Sequence, residues 1–377
     1  MLLVAWRNLT REKGRFLVTA MGVGLAVALM LSQGGILLGF ATDTARMVQG
    51  AEADIWITCK DSTSYDMSLP FPERKFYKVL GVPGVARGEK VIMVWTMVRI
   101  PGRGMKNVQV IGINPESAVG GPWKMTSGSV RDLKGGPFAI VDQSSSLNLG
   151  GPVRVGEKIE VLDHALRVVG ISREAKALTT SSFIFSSFDT ARRVCSDIIR
   201  PDEITFGLFW VEPGTDVDAV AEGIRKSVSN VDVYTTPEYA LKTQMYWLFG
   251  TGMGIGFLMV AVLGFVVGLV VVGQSLYSST MDNLPEYGVL KALGSTNSQV
   301  SGIVLVHAAA VALIGYVVGV VMAYGARIGY ETTGMAMALP PWLLATVLAA
   351  ALVMCISGAL LSVRRIRKVD PASVFRT

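Results

Sequence analysis

Four long stretches of this chain contain no charged residue, and that absence constrains the fold more than any motif. No Asp, Glu, Lys or Arg lies between Arg15 and Asp43, Lys242 and Asp282, Lys291 and Arg327, or Glu331 and Arg364. Each gap exceeds the roughly 20 residues a helix needs to cross a bilayer core. They predict membrane helices near 16–40, 250–276, 300–325 and 340–363. Residues 43–242, by contrast, carry charges throughout. The expected fold class is an α-helical membrane protein with four transmembrane helices and a large mixed α/β extracytoplasmic domain inserted between helices one and two. Composition agrees: 17% of the residues are charged, below the quarter or so of a soluble domain, and 51% are hydrophobic, which excludes disorder. Three cysteines in 377 residues exclude a small disulfide scaffold.

Flanking cations orient the spans. Arg7, Arg11, Lys13 and Arg15 precede the first, and Arg364, Arg365, Arg367 and Lys368 follow the last. The positive-inside rule then places both termini in the cytoplasm. The 43–242 domain and the 326–339 connection face outward, and 277–299 is a cytoplasmic loop. The net charge of +6 mostly reflects these flanks and is not a nucleic-acid footprint. Span one is too long for a signal-peptide core, and no small-residue cleavage site follows Phe40.

The inserted domain reads as mixed α/β. Strand-like runs are Asp54–Thr58, Val91–Ile100, Asn107–Ile113, Lys158–Leu162, Leu166–Ile171, Thr205–Val211 and Val231–Tyr234. Helix-like runs are Glu73–Leu80, Ser187–Cys195 and Asp216–Ser229, the last with Val217, Val220, Ile224 and Val228 at helical spacing. The Gly-rich stretch 119–137 reads as a loop.

Candidate chemistry is sparse. Gly151 to Gly156 resembles a phosphate loop, but Glu157 follows where Lys is required. His164 falls in a predicted hairpin turn and His307 in span three, neither with metal-ligand spacing. Cys59 and Cys195 share the outer domain, where unpaired thiols are the favoured reading and a disulfide the alternative. Cys355 reads as a packing residue. No catalytic constellation, metal site or nucleotide site is expected, so the chain reads as a non-catalytic subunit.

Gln33 and His307 are the conspicuous polar residues of the spans. His307 suits a hydrogen bond across a helix pair, or a proton- or ligand-linked site. Gly252, Gly256, Gly264, Gly268, Gly315 and Gly319 are candidate helix-packing residues, because small residues four apart allow backbones to approach closely. Packing within the chain and packing between two copies remain equal alternatives.

The expected cytoplasmic elements are more specific. Residues 1–15 place Leu2, Leu3, Trp6 and Leu9 on one helical face and Arg7, Arg11 and Arg15 on another, the pattern of an interfacial helix. In the 277–299 loop a helix over 283–294 is predicted, with Asn283 as cap, Pro285 and Glu286 in its first turn and Gly294 as terminator. Leu290 and Leu293 would form an apolar edge, and Ser295 or Thr296 would cap the next helix. Such a helix is suited to dock in a partner's groove.

The stretch Glu286-Tyr-Gly-Val-Leu-Lys-Ala-Leu-Gly294 resembles a signature of MacB/FtsX/LolC-type ABC transporter permeases. Val155–Val161 with Leu166–Ile171 resembles that family's outer-domain hairpin, and Val363–Phe375 its terminal motif. Thr10–Arg15, Gly50–Trp56, Arg74–Gly81 and Asp282–Gly294 are similar to the DevC-like subgroup. The resemblance implies 1–15 as interfacial helix, 16–42 as span one, 43–242 as a MacB-like periplasmic core domain and 243–377 as an FtsX-like domain.

It also implies a homodimer, seated in the lipid bilayer of the cytoplasmic (inner) membrane, with a separate ABC ATPase subunit that binds ATP and Mg. Pro285, Glu286, Tyr287, Val289, Leu290, Lys291, Leu293 and Gly294 would couple that ATPase to the spans. A periplasmic adaptor and an outer-membrane duct are further implied partners, with no nucleic acid involved. The function implied first is export of an amphiphile such as a lipid, glycolipid, peptide or haem-like compound. A haem exporter would use Met, Tyr or His ligands near the outer leaflet, where Met335 and Met337 are available, but scattered methionines are ordinary gap fillers. FtsX-type signalling to a cell-wall hydrolase and LolC-type lipoprotein extraction are the alternatives.

Overall fold

A computed structural model describes residues 13–144, 146, 148–173, 182–332 and 336–367. Most of the predicted interfacial helix, the end of the C-terminal motif and Met335 lie outside the described residues. The described chain forms two compact units, one of residues 40–253 and one of 13–39, 254–332 and 336–367.

Helix α1 runs Lys13–Gln49, nine residues past the apolar stretch that predicted it. The charge gap marks where the apolar sequence stops, and nothing there breaks a helix. Asp43 and Arg46, three apart, pair at 3.1 Å, with Asp43 itself buried. The turn comes at Gly50, followed by Glu52 in the left-handed region with φ +52°.

In the 40–253 unit, strands β1 (Ile55–Cys59), β2 (Phe71–Pro72), β3 (Val85–Ile100), β4 (Gly104–Ile113), β5 (Lys124–Ser127), β6 (Phe138–Asp142), β7 (Lys158–Val161), β8 (His164–Arg173), β9 (Ser182–Ser187), β10 (Glu203–Ile204), β11 (Phe206–Val211) and β12 (Val231–Thr235) alternate with helices α2 (Arg74–Leu80), α3 (Phe188–Val194), α4 (Val217–Ser227) and α5 (Thr236–Met245). Ten strands make one sheet in the order β12-β1-β11-β3-β4-β9-β6-β8-β5, with β7 on β3 and β8. Among the described residues, only β4–β9 and β6–β8 run parallel. The 16-residue β3 joins the halves, pairing with β11 through Val85–Val91 and with β4 through Ile92–Ile100.

One of the core clusters of this unit is aromatic, and another is built of aliphatic side chains such as Ile92, Val98 and Val108. Trp56 and Tyr239 are almost fully buried. The Trp56 ring meets Phe206 edge-on at 5.4 Å, and Tyr65 stacks on Phe206 at 4.9 Å. The expected loop 119–137 instead holds β5 and a 3-10 turn at Val130–Leu133, closed by reciprocal bonds between Ser129 and Asp132. At the β7–β8 hairpin Leu162 and Asp163 both have positive φ, the geometry of a type I′ turn. His164 sits there exposed, its Nδ1 bonded to the Leu162 carbonyl at 2.8 Å. Cys59, Cys195 and Cys355 are free thiols.

After α5 comes a single π-helical turn, Tyr246–Gly250, then α6 (Met253–Asp282), α7 (Leu284–Ala292), α8 (Asn297–Thr332) and α9 (Pro341–Arg367). α1, α6, α8 and α9 are long and apolar enough to span a membrane. In their unit the first part of α1 is the central element. Its Val23 and Val27 are fully buried in a core shared with Val311 of α8 and Met354 of α9. The Ala338 N–H also donates to the Gly35 carbonyl at 2.9 Å.

Candidate functional site

The connection between α6 and α8 is built by two consecutive capping devices. Gly294, at φ +96°, ends α7 in the left-handed conformation an L side chain rarely adopts. The Gly294 N–H reaches the Lys291 carbonyl and the Ser295 N–H the Leu290 carbonyl, both at 3.0 Å. Those two bonds make a Schellman motif. Next, the Thr296 N–H donates to Gln299 Oε1 at 2.9 Å and the Gln299 N–H to Thr296 Oγ1 at 3.3 Å, a capping box that starts α8. Thr296 rather than Ser295 is therefore the cap.

Asn283 does not cap α7 as the sequence suggested. At φ −94° and ψ 10° its side chain makes no cap bond, and its amide instead reaches back along α6 and donates to the Ser279 carbonyl at 2.8 Å. Pro285 and Glu286 do fall in the first turn of α7.

The predicted apolar edge is divided between two faces. Tyr287 is buried in the core of its unit, and Leu290 packs against the same core three residues on. Leu293, beyond the last helical residue, is 79% exposed, and Val289 is 44% exposed. Glu286 is exposed and Lys291 half-buried. Burial, not spacing, divides them: 287 and 290 turn to the core, and 286, 289 and 293 stay on the exposed side. The first anchors α7 to its own unit. The second presents two apolar side chains and a carboxylate to whatever adjoins it.

The glycines also divide. A Cβ on Gly315 would lie 2.5 Å from Val23, and one on Gly319 would lie 2.5 Å from Val27 and 2.7 Å from the Gly24 carbonyl. Gly268 would meet Ala26 at 2.7 Å and the Met354 sulfur closer still, and Gly264 would meet Leu29 at 3.2 Å. These four allow α6 and α8 to approach α1 within one chain. Gly252 and Gly256 have nothing within 4 Å of a built Cβ and line no packing seam here. The His307 ring lies 6.3 Å from that of Phe16 in the same unit.

The 40–253 unit carries a charge cluster that sequence reading missed. Glu73 accepts from Lys90 Nζ and from Arg192 at 2.6 Å each, and from the Tyr77 hydroxyl at 3.1 Å. Burial pushes the Glu73 carboxyl up, but the bonds from Lys90 and Arg192 outweigh it and hold it below its ordinary value. Burial lowers Lys90, yet its bonds to Glu73 and the Tyr77 hydroxyl keep its ammonium above its usual value. The partners come from α2, β3 and α3, too far apart in the chain for any motif to join them.

Along the free edge of β12, a groove of about 590 Å³ runs beside α5, lined by Tyr234, Leu241, Lys242 and Met245. That edge is guarded. The Arg225 guanidinium donates to the Val233 carbonyl at 3.0 Å, Glu238 accepts the Thr235 N–H at 2.8 Å, and the two side chains pair at 2.8 Å. Such an ion pair blocks strand addition. Among the described residues, no three His, Cys, Asp or Glu side chains gather where a metal ion could bind.

Comparison with known proteins places these features. Residues 16–227 match the MacB-like periplasmic core domain and residues 242–371 the FtsX-like permease C-terminal domain. A Mycobacterium tuberculosis protein named an uncharacterized ABC transporter permease is 24% identical over 387 aligned positions, covering 100% of this chain and 99% of that one. Two solved structures are similar at low TM-score. The periplasmic region of MacB from Actinobacillus actinomycetemcomitans is 8% identical, with TM-score 0.38, covering 49% of this chain and 89% of that one. The extracellular domain of YknZ, a noncanonic ABC-type transporter from Gram-positive bacteria, is 13% identical, with TM-score 0.36, covering 48% of this chain and 98% of that one.

Proposed function

Since the chain belongs to the FtsX/MacB family of ABC transporter permeases, we propose that it is the membrane subunit of an exporter driven by a separate ATPase. One observation supports the reading most. A short helix between two membrane helices is fixed on one face by Tyr287 and Leu290 and offers Glu286, Val289 and Leu293 on the other. A rigid, capped, apolar-tipped helix transmits a push where a flexible loop would absorb it. In this reading the termini and α7 are cytoplasmic, and the ATPase supplies the ATP and Mg chemistry. Movement passes through the spans to the 40–253 unit, which works on an amphiphile together with an adaptor and an outer-membrane duct. A second copy completes the transporter. Gly264, Gly268, Gly315 and Gly319 are already occupied within one chain, so the interface between copies falls elsewhere.

The two faces of α7 give the test. Leu293→Asp should lower permease-stimulated ATPase activity at least tenfold in the reconstituted complex and leave folding intact. Leu290→Asp should disturb the fold itself, because it places a carboxylate against a buried apolar core. Full stimulation in Leu293→Asp would refute the docking role. Deletion cells should retain an amphiphile that wild-type cells lose; a cell-separation defect with an unchanged lipid and peptide profile would favour signalling.

A further inference from the structure

The groove beside β12 belongs wholly to the 40–253 unit, and its lining is of two kinds. The apolar wall comes from α5. Leu241 and Met245 line the groove, and Phe249 and Met253 follow them in the chain at intervals of four. All four side chains are between 41% and 61% exposed. Single apolar residues on a surface need no explanation, but a row of large ones marks a binding face. Met253 is also the first residue of α6, among the described residues the most apolar of the helices able to span a membrane. The row is thus continuous in sequence with a segment that meets lipid. The charged lining, by contrast, is satisfied within itself. Arg225 pairs with Glu238 at 2.8 Å. The Tyr234 hydroxyl donates to Asp232 at 3.0 Å and accepts from Lys242. The Lys242 ammonium lies 4.5 Å from the centre of the Tyr234 ring and 3.9 Å from Asp232. Two cations and two carboxylates balance, which leaves neither sign over for an ionised ligand.

We propose that this groove binds the alkyl chain of an amphiphile without net charge, admitted from the outer leaflet along the row from Leu241 to Met253. The volume of about 590 Å³ falls within the roughly 300–1,000 Å³ of small-ligand sites. The Arg225–Glu238 pair closes the β12 edge to an added strand, so an extended polypeptide is not the occupant. Leu241 and Met245 give the chain an apolar wall, and the flexible Met245 thioether adapts to chains of different length. Tyr234, with Lys242 and Asp232 bound to it, offers hydroxyl and paired charges that suit a sugar or a zwitterion and would have to part to match a lone charge. The site deepens the export reading by naming a substrate class, and it rests on that reading for its orientation and purpose.

Photolabelling of the full-length protein in lipid nanodiscs tests this without transport. The probe is phosphatidylcholine with a diazirine at the end of one acyl chain, and mass spectrometry locates the adducts. Adducts are expected on 231–241 as well as on the membrane helices. Leu241→Gln combined with Met245→Gln, both at exposed positions, should lower the 231–241 yield about tenfold relative to α6 adducts, the equivalent of about two methylene groups withheld from burial. Anionic phosphatidylglycerol with the same diazirine chain should label 231–241 several-fold less than phosphatidylcholine, a comparison that needs no variant. Adducts confined to the membrane helices, a yield unchanged in the double variant, or equal labelling by the two lipids would each overturn the proposal. If 231–241 is labelled but cells lacking the protein retain no amphiphile, the groove stands and the export reading fails. Export without labelling would mean the reverse.

Discussion

The two units of this chain are held together by opposite means. The 40–253 unit fills its core with volume: Trp56, Tyr65, Phe206 and Tyr239 lie ring against ring at 4.9–6.3 Å. The helical unit removes volume at its seams. Gly268, Gly315 and Gly319 let α6 and α8 meet α1 at distances a single methyl group would violate, and Gly264 sits nearly as close. Water explains the difference. A domain bathed in it is driven to bury large apolar surfaces. Helices in lipid gain nothing by hiding one hydrocarbon from another and cohere through close packing and backbone approach. Shrinking a buried ring should therefore weaken the first unit, and enlarging a seam glycine the second.

Each unit holds a buried free thiol, Cys195 in one and Cys355 in the other. Five of the seven tryptophans, at 56, 95, 123, 210 and 247, fall in the 40–253 unit. Maleimide labelling of each thiol on heating, with tryptophan fluorescence, reports the units separately. The largest effect expected is from Trp56→Ala, which leaves a cavity in the aromatic core and costs about 3–5 kcal/mol. Cys195 should label at lower temperature while Cys355 stays protected. Gly319→Ile reverses the pattern at an expected cost of about 1–3 kcal/mol, since the added atoms collide with Val27 and the Gly24 backbone. Cys355 should then be exposed first. Early exposure of the same thiol in both variants would break the contrast.

What the sequence disclosed follows the same division. Charge gaps located the membrane helices because lipid excludes ionised groups, but they missed the end of α1, where Ala45 and Val48 continue into the core of the other unit. Long β-branched runs such as β3 and β4 were legible. β6, β9 and α5 were not, being short and dependent on long-range pairing or on a capping box at Thr235 and Glu238. Glycine spacing identified candidate seams without saying what would fill them. Helical periodicity related Leu290 to Leu293, but it could not tell which of them the helix turns against its own core. The implied ATPase contacts depend on a partner's surface, which the sequence of this chain does not carry.

The smallest effect asks whether polar interactions at the surface of the 40–253 unit matter beside its aromatic filling. Glu73 binds Lys90 and Arg192 among the rings of Phe76, Tyr77 and Phe188. Its carboxyl sits lower in the folded protein than its ordinary value of 4.5. The stabilisation is thus fully present above the unfolded carboxylate pKa and is lost as pH falls through the folded one. Lys90, raised by the same contact, loses its share only in the alkaline range. Both groups touch water, so the whole cluster should contribute no more than about 1 kcal/mol. Between about pH 5 and about pH 3, the tryptophan-detected melting temperature should fall less in Glu73→Gln than in the wild type. Many carboxylates titrate in that window, so a double-mutant cycle with Lys90→Met isolates the pair. A coupling energy independent of pH would show that the rings hold this corner without the charges, and the aromatic core would then account for it unaided.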